Sequence, residues 1–168
     1  MSALSEHIIL GIDPGLVNTG WGIVAKQGHE LTCLAYGCIK TGTDTSLDKR
    51  LEKIYGQIGA IIDRYKPDSV GVETIWFGEN VSAAFGTGQA RGAALVACGE
   101  AGLKLGEYTP NLIKASVVGV GKADKAQVQY MVKQILRLES VPKPDHAADA
   151  LAAAICFAVM GPVVRQME

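Results

Sequence analysis

The chain has no cysteine pairing pattern. Cys33, Cys38, Cys98 and Cys156 are scattered through apolar surroundings without a C-x-x-C pair, which reads as reduced core thiols rather than cross-links or a zinc site. It has no excess of basic charge either. Sixteen Lys and Arg face 17 Asp and Glu, for a net charge of −1 and a pI near 6.3. A broadly cationic surface is thereby excluded, and a nucleic-acid partner would have to be met by a local patch. Nor is there an uninterrupted apolar run of membrane-spanning length. The longest apolar stretch, Ala147 to Val164, is alanine-rich and carries Asp149, so it reads as a buried helix. Glu6 and His7 precede an N-terminal apolar run too short for a secretory signal, and the expected location is cytoplasmic. Repeats, low-complexity tracts and linkers are absent. The 168 residues, 48% hydrophobic, predict one domain over residues 1–168 with a substantial core.

What the sequence does hold begins with "IILGIDPG", Ile8 to Gly15. An apolar strand there ends on a carboxylate, which is costly to bury without a partner. His7–Asp13, Gly20–Ala25 and Leu31–Lys40 predict three strands joined by short turns, an antiparallel meander. Leu47, Leu51, Ile54, Ile58, Ile61, Ile62 and Tyr65 recur at spacings of three and four, a helix starting at Ser46 and ended by Lys66-Pro67-Asp68. Ser69–Ile75 is a short β-branched strand containing a second carboxylate, Glu73. A small-residue helix over Ala83–Gly99, a strand over Lys104–Tyr108, a helix around Val128–Leu136 and the alanine-rich last helix complete the order. This predicts an α/β fold: a mixed sheet, antiparallel at one side and parallel at the other, with helices on both faces.

Asp13 and Glu73 fall near the carboxyl ends of two predicted strands, the edge where open α/β sheets gather ligands. His146 and Asp149, three residues apart with Asp145 beside them, share one face at the start of the last helix. Each group also has a plain structural reading: Asp13 bonding its own Pro-Gly turn, and Asp145 or His146 capping the helix. Asp149 on the packing face of an alanine-rich helix is harder to explain that way. Converging carboxylates repel unless a cation lies between them, and oxygen donors suit Mg2+ or Mn2+. Two such ions, roughly 3.5–4 Å apart, promote phosphodiester cleavage by activating water and steadying the leaving oxygen.

Five segments resemble a known family: "GIDPGLVNTGWGIV" from Gly11, "VGVETIWF" from Val70, "GQARG" from Gly88, "VVGVGKADKAQV" from Val117 and "DHAADALAAAIC" from Asp145. In this order and spacing they resemble the RuvC Holliday-junction resolvases from about Ile8 to about Ala158. The resemblance implies an RNase H-like fold with a five-stranded mixed sheet. It also implies a homodimer that nicks two like-oriented strands of four-way junction DNA in recombination and repair, with a RuvA–RuvB branch-migration complex as a further partner. The family's acids fall on Asp13, Glu73 and Asp149. Its remaining position, often aspartate, falls on His146, so two ions per site are expected with a tilt toward Mn2+, imidazole being a softer and uncharged ligand. Whether His146 ligates metal or handles a proton stays open, since its ordinary pKa lies near about 6.5.

The same resemblance places a base-stacking aromatic at Trp76, with Phe77 beside it as a DNA contact or a core residue. Phosphate-contacting lysines fall on Lys114 and Lys125, and Lys122 flanks the same glycine-bearing loop. Arg91 has two readings, a DNA contact or a packing residue between helices. Three rival readings are an actin- or sugar-kinase-like phosphate loop at "GIDPGLVNTG", a non-catalytic junction binder, and an RNase H-like nuclease for RNA or other branched DNA. The first needs two lobes closing over a nucleotide, and the second gains nothing from clustered carboxylates.

Overall fold

Alternate residues of the first apolar run part company. Ile8, Leu10 and Ile12 enter one hydrophobic core and Ile9 the other, as a strand buried on both faces requires. The computed structural model describes residues 5–75 and 78–163. Its strands are β1 (His7–Asp13), β2 (Asn18–Gln27), β3 (Glu30–Lys40), β4 (Ser69–Glu73) and β5 (Lys104–Tyr108). They form one sheet in the order β3-β2-β1-β4-β5. β1–β2 and β2–β3 pair antiparallel, β1–β4 and β4–β5 parallel. The predicted mixed sheet is present, though β2 is longer at both ends and β4 stops at Glu73 rather than Ile75.

Helices α1 (Leu47–Tyr65) and α2 (Val81–Glu100) cover one face. Ile54, Ile58 and Ile62 meet Ala90, Ala94, Ala97 and Cys98 there. The other face carries α3 (Pro110–Val118), α4 (Lys125–Ile135) and α5 (Asp145–Met160). The apolar periodicity of the sequence does not predict α3. Its signals are local: Thr109 caps it by accepting from Leu112 N at 3.2 Å, Pro110 opens it, and Gly119 at φ 95° ends it.

What fixes α5 is a row of glycines. Gly22, Gly11, Gly71 and Gly106 stand side by side across β2, β1, β4 and β5. A Cβ on Gly71 would come within 2.5 Å of the Ala153 carbonyl oxygen, and one on Gly11 would run into the Ala150 carbonyl. The helix that lies on this row presents Ala147, Ala150, Ala153 and Ala154, all essentially inaccessible. Small against absent side chains lets backbone rest nearly on backbone at Gly11 and Gly71.

Candidate active site

Two residues beyond the glycine row, the same sheet face carries Asp13 and Glu73, the last residues of β1 and β4. The Ile12–Val72 pairing brings these neighbouring parallel strands to the same level. The residue opposite Asp13 in β2 is Gly20, and a Cβ there would collide with the His146 carbonyl. So α5 comes down against the sheet edge, and His146 Nδ1 donates to Asp13 Oδ2 at 2.9 Å. The turn after Asp13 has its own clamp. Thr19 Oγ1 donates to Gly15 O at 2.7 Å and accepts from Gly15 N at 3.3 Å. Asp13 is therefore free of the turn-bonding role, and Pro144, not Asp145 or His146, is the N-cap of α5.

The carboxylates feel one another. Burial pushes Glu73 up to about 7, with Asp13 and Asp149 adding to the shift and Lys114 opposing it. Burial also raises Asp13, Asp149 adding to it, against the His146 hydrogen bond. Asp149 is raised by burial against the pull of Lys125, whose Nζ lies 3.5 Å from Asp149 Oδ2. As the side chains stand, no three such donors among the described residues close tightly enough to enclose an ion. The donor set nonetheless fits a hard divalent cation: three carboxylates whose ionised forms are disfavoured by burial, Asp13 and Glu73 also by acids of the set, with an imidazole beside them.

Glu73 divides the opening above the edge. A cavity of about 470 Å3 on one side is lined by Asp13, Pro14, Thr74, Asn80 and Thr87, among others. One of about 300 Å3 on the other is lined by Lys114, Lys125, Val128 and Asp149. Thus Lys114 on α3 and Lys125 on α4 border the acids. Lys122 is exposed on the loop between those helices. Arg91 departs from the DNA-contact reading. Its guanidinium pairs with Glu107 of β5, both side chains mostly buried at 18% and 15% exposure, so it packs between α2 and the sheet. Trp76 and Phe77 lie outside the described residues. Sequence reasoning missed Gln129, whose Nε2 donates to Asp145 Oδ1 at 3.1 Å. Its position four residues after Lys125 on α4 was the available signal.

A β3-β2-β1-β4-β5 mixed sheet with carboxylates from two central strands and a helix crossing their ends defines an RNase H-like nuclease fold. Residues 9–157 match the family described as crossover junction endodeoxyribonuclease RuvC. Relatives of that name from Heliobacterium modesticaldum and Treponema denticola are 50% and 44% identical. They are matched over 90% and 92% of this chain and 93% and 87% of theirs. The structure of Thermus thermophilus RuvC in complex with a Holliday junction substrate superposes with a TM-score of 0.86 at 36% identity, covering 90% of this chain and 93% of that one. A yeast mitochondrial Holliday junction resolvase, 13% identical with a TM-score of 0.62 over 89% of this chain and 78% of that one, shares the fold. The chain belongs to the RuvC family of crossover junction endodeoxyribonucleases.

Proposed function

We propose that this protein resolves four-way DNA junctions by hydrolysing a phosphodiester bond at the Asp13–Glu73–Asp149 cluster, with divalent cations, two per site, held by these carboxylates and His146. The observation that carries the reading is the convergence of acids from β1, β4 and α5 on one sheet edge, where Asp13 and Asp149 raise the cost of ionising Glu73 and Asp149 that of ionising Asp13. A bound divalent cation supplies Lewis-acid polarisation of the phosphate and activation of water. The chain's own side chains do the rest. Asp13, fixed through its bond to His146, Glu73 and Asp149 set where positive charge collects. Lys114 and Lys125 meet the phosphates, Lys122 extends that patch, and the His146 tilt favours Mn2+ over Mg2+. Trp76 and Phe77 enter as DNA contacts through the family resemblance alone.

Two matched nicks require two sites about a symmetric junction, and the homodimer is part of the proposal. Val81, Phe85 and Val96 are 67%, 67% and 56% exposed. They share one stripe of α2 with Gly92, whose missing side chain faces open space. A second copy packed helix to helix on this stripe accounts for its apolar exposure. A RuvA–RuvB complex as partner, a cytoplasmic location and a single domain over residues 1–168 belong to the same reading. Among the described residues no helix is long and apolar enough to cross a membrane.

The test is incubation of the purified protein with a synthetic four-way junction and Mn2+ or Mg2+, beside an Asp13→Asn control, linear duplex and an RNA–DNA hybrid. Paired nicks confined to the junction and lost in the variant support the reading. Preferred cleavage of the hybrid, or nicks that persist in Asp13→Asn, overturn it.

A further inference from the structure

Lys125 is badly placed for the helix that carries it. It is the first residue of α4, where the helix dipole presents positive charge and disfavours a cation. The helix end is secured without it by a capping box between Asp124 and Gln127, with bonds of 2.8 and 2.9 Å. The partners of its ammonium lie elsewhere, on α5. Lys125 Nζ sits 3.5 Å from Asp145 Oδ2 and 3.5 Å from Asp149 Oδ2.

The two carboxylates are not equivalent. Asp145 is anchored from behind: Gln129 Nε2 donates to its Oδ1 at 3.1 Å, and Lys143 Nζ lies 3.6 Å from the same oxygen. Its other oxygen is thereby left facing Lys125. Asp149 is part of the acid cluster, and among the described residues its ion pair is with Lys125. A divalent cation on Asp149 and an ammonium 3.5 Å from the same oxygen are like charges competing for one carboxylate. The lysine side chain is 56% exposed and moves on a flexible stem, and Asp145 lies one helical turn before Asp149. Lys125 can therefore leave Asp149 without leaving Asp145. The cavity it borders also holds Lys114, so a phosphate entering there meets both lysines.

We infer that Lys125 is a tethered counter-ion: it neutralises Asp149 while the site is metal-free and turns to a DNA phosphate when a divalent cation takes its place, with Asp145 as the post that keeps it at hand. The inference rests on the metal reading above. Its consequence is that junction and metal binding favour each other, because a phosphate that draws Lys125 away vacates Asp149 for the cation.

The test is Mn2+ binding to the DNA-free, full-length protein, read from the EPR signal of free Mn2+ at low ionic strength. Lys125→Met is expected to bind Mn2+ about three- to tenfold more tightly than wild type, the scale of one contact charge in a solvent-exposed setting. Lys125→Gln serves as the second variant. In Asp145→Asn the post is gone, and the same Lys125→Met change is expected to give a clearly smaller gain. An ammonium acting only through space would give equal gains in both backgrounds, and equal or larger gains overturn the role of Asp145. An unchanged or weakened Mn2+ affinity in both Lys125 variants overturns the counter-ion. Failure of wild type to bind Mn2+, or binding indifferent to Asp13→Asn, instead overturns the metal reading beneath it.

Discussion

His146 Nδ1 donates to Asp13 Oδ2 at 2.9 Å across 133 residues of chain, joining the first strand to the last helix at the site. Because His146 and Asp149 rise from one face of α5, this bond adds to the close packing of α5 on the glycine row in holding Asp149 beside the strand ends.

Replacing Asp13 by Asn keeps the volume and removes the charge that cation binding needs. Junction cleavage is expected to fall roughly 10²-fold or more, while junction binding in the presence of EDTA is retained. Gel-shift and cleavage assays on the same preparation separate the two effects.

Metal choice is expected to depend on His146. Wild type is expected to cleave faster with Mn2+ than with Mg2+, and His146→Asp to shift the preference toward Mg2+ by restoring a hard oxygen donor. Rates with each ion decide it. Equal or better wild-type rates with Mg2+, together with an unchanged preference in the variant, count against the idea.

Glu73 makes stability depend on pH. Its folded-state pKa is raised from 4.5 to about 7, so the unfolded chain gives up the proton first as pH rises. Its contribution is complete below about pH 4.5 and is lost through about pH 7. In metal-free protein, Glu73→Gln is expected to melt a few degrees above wild type at pH 8 and level with it at pH 4.5. Saturating Mn2+ at pH 8 stabilises wild type preferentially, by ligand linkage. Thermal melts across pH, with and without Mn2+, supply the readout.

The glycine row predicts a steric penalty. Gly71→Ala places a methyl 2.5 Å from the Ala153 carbonyl oxygen. An overpacking cost of about 1–3 kcal/mol is expected, and each kcal/mol lowers Tm by roughly 2–4 °C at this size. Gly92→Ala, inside α2 where a Cβ meets open space, is expected instead to raise Tm slightly, by the better helix propensity of alanine.

Binding should weaken steeply with salt, since near-neutral net charge leaves the local lysines to supply the attraction. Lys114→Met is expected to lower the slope of log K against log salt by about one, as fluorescence anisotropy with labelled junction measures.

Strand-ending acids and an aspartate inside an alanine-rich helix were visible because they break a hydrophobic pattern locally. Partnerships across the fold were not. Arg91 looks the same in sequence whether it meets DNA or Glu107, and only the packing of α2 against β5 decides. The same holds for Lys125 and Asp145, which belong to different helices. α3 went unread although Thr109-Pro110 and Gly119 bracket it, because its short run lacks a repeating apolar stripe. The glycines of β1, β2, β4 and β5 each look ordinary within their own strand. Only register shows that they are neighbours.

That alignment separates the site from the ordinary drift of the hydrophobic interior. Where α5 crosses the sheet, main chain meets main chain, so the spacing between Asp13 and Asp149 is a property of peptide thickness rather than of how bulky residues interlock. Substitutions deeper in either core can accumulate without changing the gauge of the cleft, whereas one added methyl at Gly11 or Gly71 would.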